Sequence, residues 1–179
     1  IGTIADIVPL TGENRSLAKA GLEILRQGRR IGVNALAGAA KIDIRKITAR
    51  DIGFMLAPRL NAAGRLESAT NAYEILMTED GSYAGGLAQA LDDQNRKRQD
   101  ETTRIQEEAE KLIEADGAGE YLLFAVDPAY NLGIVGLAAA RLVEKHYRPA
   151  IVGGSQETGA ARGMDGDQNS AYTRASCRS

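Results

Sequence analysis

The sequence predicts an α/β chain: a helix-rich first part, a long connecting helix, and the start of a second, α/β domain. Three observations carry this. Apolar residues recur at helical spacing through most of positions 15–77. From Tyr83 to Ala115 there is no proline, and the only glycines are the adjacent Gly85 and Gly86, so one unbroken helix is expected there. After it, Tyr121–Val126, Gly133–Lys145 and Ala150–Val152 read as strand, helix and strand. That order favours a parallel pair with a right-handed crossover.

A length of 179 residues suffices for one moderate domain or two small ones. Charged residues make up 26% and the formal net charge is −2, so no global basic field draws in nucleic acid. A polyanion site has to be a local cluster. Trp is absent and aromatics are 4%, which argues against a broad base-stacking platform. The single cysteine, Cys177, allows no internal disulfide and fits a reducing cytosol. No stretch reads as a signal peptide and no apolar run nears the roughly 18 residues of a spanning helix. A cytoplasmic protein with no membrane partner is therefore expected. The chain opens without Met on an apolar segment and closes on polar residues, which predicts a piece of a longer protein.

Ile1–Leu10 reads as a buried strand (Ile4, Ile7, Val8, Leu10) interrupted by Asp6. A carboxylate in such a run is costly unless it is paired or bound to metal, and capping a following turn is the plain alternative. Asn14 is the expected cap of a helix from Arg15 to about Gln27, with Leu17, Ala20, Leu22 and Leu25 inward and Gly28 ending it. A short apolar helix follows around Gly32–Ala40. Lys41–Ile47 is a charged connection, and Arg29, Arg30, Lys41, Arg45, Lys46 and Arg50 make the region locally basic. A solvated face is its default reading.

Asp51–Ser68, DIGFMLAPRLNAAGRLES, starts as a helix behind a Thr48 cap, with Ile52, Met55 and Leu56 at helical spacing. Pro58 is expected to end it. Beyond it Arg59, Asn61 and Arg65 are interleaved with residues too small to cover them. An arginine among Gly and Ala stays open to a planar anion and grips phosphate through two parallel hydrogen bonds. Surface arginines on an ordinary helix–turn are the competing reading.

A helix at Ala69–Met77 follows, and Ser82 is the expected cap of the long element from Tyr83 to about Ala115. That element is amphipathic at both ends. Its polar centre, DDQNRKRQDETTR, sets opposite charges four apart at Asp92/Arg96, Asp93/Lys97 and Asp100/Arg104. Such a pattern suits a helix of about 50 Å bridging two bodies across solvent. A coiled coil competes, but the apolar heptad lapses in the centre. Asp116–Glu120 is a break. Leu132–Gly136 leads into the next helix, where glycines leave amides for an anion or simply allow tight packing. His146, the sole histidine, sits at that helix's end and suits its dipole. Gly153–Thr173 reads as a surface loop.

PRLNAAGRL, together with IGTIADIVPLTGENR at Ile1–Arg15, resembles the RecJ-like single-stranded-DNA-specific exonucleases of the DHH/DHHA1 phosphoesterase superfamily. LDDQNRKRQ is similar to the opening of that family's connecting helix, where Asn95 and Arg98 fall on recurrent motif positions. AYNLGIVGLAAARLVEKHYRP is similar to the start of a DHHA1 domain, with Asn131 where many relatives carry histidine. Arg174–Ser179 looks like the family's GSxRS motif with Ala175 for glycine, and Gly159–Arg162 is a rival alignment. The resemblance implies that 1–80 are the C-terminal part of a DHH domain, 81–116 the connecting helix and 117–179 the N-terminal part of DHHA1.

It further implies that Asp6 is catalytic and a ligand of an Mn2+ or Mg2+ site, for which carboxylate oxygens are suited. Arg59, Asn61, Arg65, Ser176 and Arg178 would bind DNA and its 5′ phosphate. The family's DxDxDG and DHH ligands are absent from these residues, so the chain alone is expected to be inactive. The implied activity is 5′-to-3′ degradation of single-stranded DNA in repair and recombination, alongside a single-strand-binding protein and a helicase. Two alternatives stand beside it: a phosphodiesterase of the superfamily acting on short oligonucleotides or cyclic dinucleotides, and a non-catalytic replication scaffold. PRLNAAGR and the long helix favour the nuclease, and the retained Asp6 counts against the scaffold.

Overall fold

Helical periodicity becomes helices throughout the first half of the chain. The computed structural model describes residues 1–66, 68–115, 121–155 and 173–178, and it divides into two compact units, Ile1–Lys97 and Arg98–Ser179. In the first, α1 (Gly2–Ala5), α2 (Gly12–Arg26) and α3 (Ile31–Ala39) precede a 3₁₀ turn at Ile44–Lys46. Next, α4 (Ala49–Asp51) runs through a π turn at Ile52–Leu56 into α5 (Ala57–Leu66), followed by α6 (Thr70–Met77) and the first half of α7 (Gly81–Ala115). Val33, Leu36, Ile52, Leu56, Ile75, Leu87 and Leu91 form this unit's core.

The strand expected at Ile1–Leu10 is replaced by the short α1, none of whose residues is buried. No strand is described in the first unit, so an extended segment there would leave its backbone unpaired. Local bonds from the amides of Ile4 and Ala5 to the Ile1 carbonyl take up those groups instead. The turn out of α1 puts Ile7 at φ 54°, an uncommon state for a β-branched residue.

Helix α2 starts one turn earlier than expected, with Thr11 as its N-cap, while Asn14 donates from Nδ2 to the Pro9 carbonyl at 3.2 Å. Leu22 and Leu25 pack on the core, but Leu17 and Ala20 are exposed. Gly28, at φ 65°, stops the helix as a left-handed glycine does. The backbones of α3 and α6 meet at Gly32, where a Cβ would lie 1.6 Å from the Ile75 carbonyl oxygen. Gly32→Ala is therefore expected to destabilise the chain by about 1–3 kcal/mol. Thermal unfolding followed by circular dichroism checks this, and an unshifted midpoint would refute it.

The long helix is observed as expected, 35 residues without interruption, but its cap and its centre differ. Asp80, rather than Ser82, accepts the amides of Ser82 and Tyr83 through Oδ1 at 2.8 and 3.2 Å. The centre is not wholly solvated, because Asp92, Asn95 and Thr102 are buried. They continue a stripe with Ala84, Ala88, Leu91, Ile105 and Ala109, so helical spacing persists while the residue type turns polar. Of the charge pairs expected, Asp92 meets Arg96 at 2.7 Å. Asp93 accepts instead from Gln89, and Arg104 pairs instead with Glu101 and Glu108.

In the second unit, the rest of α7 is followed by β1 (Leu123–Val126), α8 (Val135–His146), β2 (Ala150–Ser155) and β3 (Thr173–Arg178). The β1/β2 pair is parallel, from Leu123↔Ala150 to Val126↔Gly153, and β2/β3 is antiparallel. Helix α8 packs on β2 and β3, burying Val135, Ala138, Ala139 and Leu142. The α/β expectation holds. Asn131 accepts the Gly133 amide through Oδ1 at 2.8 Å, tightening the turn into α8. His146 lies in the last turn of α8, 3.5 Å from Glu110 Oε1 on α7.

Gly153–Ser155, read as the start of a loop, belongs to β2. Gly154 is there because the chain passes close: a Cβ would sit 2.2 Å from the Tyr130 carbonyl oxygen. Thr173, the last residue of that expected loop, opens β3, and 156–172, with the rival Arg162, lie outside the described residues, as do the break at 116–120 and Ser179. Among the described residues no helix is long and apolar enough to cross a membrane.

Candidate nucleic-acid interface

The polar face of α5 is built from the helix start. Thr48 Oγ1 accepts the Asp51 amide at 3.3 Å, and Asp51 Oδ2 accepts the Thr48 amide at 2.9 Å. This reciprocal cap fixes where the helix begins, and it lowers the Asp51 pKa by hydrogen bonding to Thr48. Pro58 does not end the element. The π turn Ile52–Leu56 lies immediately before it, and a wider turn makes room for a ring that would otherwise press on the carbonyl four residues back.

Helix α5 then continues to Leu66, with Ala57, Ala62 and Ala63 buried and Asn61 and Arg65 exposed. Burial of the alanines sets the rotation of the helix, and rotation decides which polar groups face water. Upstream, the Arg50 guanidinium lies 5.9 Å from the ring centre of the exposed Phe54. Cation, aromatic and amide groups thus follow one another along the element, a set suited to contacting a phosphodiester strand.

Arg59 corrects the expectation that small neighbours leave an arginine open. Its Nε and Nη2 contact Asp92 Oδ1 on α7 at 2.9 and 2.8 Å, and its Nη1 donates to the Met55 carbonyl at 2.6 Å. The side chains are 12% and 3% exposed. Small neighbours in sequence do not leave Arg59 open, because its guanidinium turns in to a buried carboxylate. Sequence reasoning missed Asp92 because it paired that residue with Arg96 alone. Its position next to Leu91 on the inward stripe was the available signal.

Asp6 is exposed and follows α1 as its C-cap. Helix α1 packs against the π turn that feeds α5. Among the described residues no group of three or more His, Cys, Asp or Glu is placed to hold a metal ion. These residues do not by themselves fit a divalent-cation site, which takes several oxygen ligands. Ser176 and Arg178 lie on β3 in the second unit, in register with Val152 and Ala150. A groove of about 350 Å³ on the first unit, lined by Ile4, Leu17, Leu22, Leu25 and Ile52 among others, is largely apolar and offers little to a polyanion.

Comparison with known proteins bears on this arrangement. The chain is 43% identical over 164 residues to the single-stranded-DNA-specific exonuclease RecJ of Bacillus subtilis, covering 91% of this chain and 21% of that protein. Against RecJ of Escherichia coli it is 36% identical over 168 residues, covering 91% and 29%. The crystal structure of RecJ from Thermus thermophilus in complex with Mg2+ superposes with a TM-score of 0.74 at 32% identity, over 84% of this chain and 24% of that one. In sequence and in fold the chain matches one segment of RecJ.

It spans between about a fifth and a third of the length of these relatives. A second Thermus RecJ structure, in complex with Mn2+, matches equally well, with a TM-score of 0.74. No protein-family model matches the chain. Because the described residues lack a cluster of metal ligands, the isolated 179-residue chain is expected to release no nucleotides from single-stranded DNA in Mn2+. Chelator-sensitive release by the purified chain would contradict this.

Proposed function

We propose that the protein containing this chain is a metal-dependent exonuclease that degrades single-stranded DNA from its 5′ end by hydrolysing phosphodiester bonds. The observation that carries the reading is the joint match to RecJ in sequence and fold across most of the chain. On this reading 1–80 close a DHH domain, 81–116 connect, and 117–179 open a DHHA1 domain. Asp6 supplies one carboxylate of a site for Mn2+ or Mg2+ whose other ligands lie elsewhere in the protein. Asn61 and Arg65 on α5, with Ser176 and Arg178 on β3, hold the strand and its 5′ phosphate, while Arg59 supports α5 from behind.

Repair and recombination are the proposed setting, with a single-strand-binding protein and a helicase as partners. The single cysteine supports a reducing, cytoplasmic one. The reading is tested with the intact protein on a length series of single strands, short oligonucleotides and cyclic dinucleotides in Mn2+. Degradation of long strands from the 5′ end is expected. Preference for the short or cyclic substrates would favour the phosphodiesterase alternative, and no hydrolysis of any would favour the scaffold.

A further inference from the structure

We propose that Asp92 is a positioning residue for the nucleic-acid face of α5, acting through Arg59. The proposal rests on the reading of α5 as a DNA-binding element. Asp92 Oδ1 takes Nε and Nη2 of Arg59, and Oδ2 takes Nη2 of Arg96 at 2.7 Å. The third edge of the Arg59 guanidinium is bonded to the Met55 carbonyl. Arg59 is therefore tied both to α7 and to the turn that precedes its own helix.

The apolar contacts around it supply only part of that constraint. Burial of Ala62 and Ala63 among Leu56, Leu87, Ala88 and Leu91 sets which face of α5 turns inward, but such contacts are non-directional, and a directional one narrows the register. An arginine–carboxylate pair closed off from water is directional and permits one register. Asn61 and Arg65 lie two and six positions beyond Arg59, which at about 100° per residue turns both toward the opposite side of the helix. Their aim is thus narrowed by the Arg59–Asp92 contact. Arg96 is 64% exposed, and its contribution to the constraint is correspondingly smaller. A buried ion pair adds little stability compared with apolar packing of the same volume, so geometry is what the pair contributes.

The experiment is a cycle on the intact protein, reading equilibrium binding of a 5′-phosphorylated single strand without divalent metal, with thermal unfolding in parallel. Asp92→Asn and the apolar pair Arg59→Met/Asp92→Leu are each made with and without Arg65→Ala. Arg65→Ala and Asp92→Asn are each expected to weaken binding about tenfold, but Asp92→Asn to add less than about twofold when Arg65 is already gone. The apolar pair is expected to melt no lower than the parent and still to bind about tenfold more weakly. It keeps the test open where Asp92→Asn fails to fold. Multiplying losses, or parental binding by the apolar pair, would overturn the positioning role and leave the DNA-binding reading intact. Parental binding by Arg65→Ala would overturn both.

Discussion

On the proposed reading, Asp6→Ala in the intact protein is expected to lower turnover on single-stranded DNA by about a thousandfold or more, because a divalent cation held at the reacting phosphate would supply several kcal/mol of transition-state stabilisation. Binding of the strand changes far less, since affinity comes mainly from contacts to phosphates spread along it. The variant is informative because of where Asp6 sits. Its side chain is exposed at the end of α1, and exposed substitutions usually shift stability by no more than about 0.5 kcal/mol. A loss of activity with an unshifted unfolding midpoint is then a loss of chemistry and not of fold. Turnover equal to that of the parent, at ordinary metal concentration, would remove Asp6 from the catalytic site.

Arg65→Ala is expected to weaken use of 5′-phosphorylated strands by roughly ten- to a hundredfold, from a charge-assisted contact worth about 1.5–3 kcal/mol. Strands ending in a 5′ hydroxyl should lose far less. Arg178→Ala should show the same asymmetry if β3 contributes to the same recognition. The measurement is kcat/KM on the two substrates, at one salt concentration because phosphate contacts are screened. Equal losses on both would mean general backbone binding, and the assignment of these arginines to the 5′ end would fail.

Local signals are legible in the sequence where they are self-contained. Thr48 caps its helix by residue type alone, and the structure adds the return bond from Asp51 three residues on. Gly28 after a helical stripe stops α2 for a reason confined to its own backbone. The unbroken run to Ala115 made α7 legible because only proline or further glycine would have interrupted it. Signals that depend on a distant partner are not legible in the same way. Ile1–Leu10 has a strand's composition, but a strand requires a neighbour, and no strand is described in its unit. Ser82 and Asp80 are both acceptable caps by type, and the direction of the side chain chose Asp80.

What the sequence alone determined is which groups are available: two arginines and an amide in one short Gly- and Ala-rich stretch, one carboxylate near the start, and a long uninterrupted helix up to Ala115. Residue type and helical period suffice for that. Tertiary structure decided how those groups are used. Arg59 and Arg65 stand in the same Gly- and Ala-rich stretch, yet one is tied to a buried aspartate 33 residues away and the other faces out. The reason is physical. Burial of Ala62 and Ala63 fixes the rotation of α5, and a guanidinium turned inward must find a carboxylate or pay for its lost hydration.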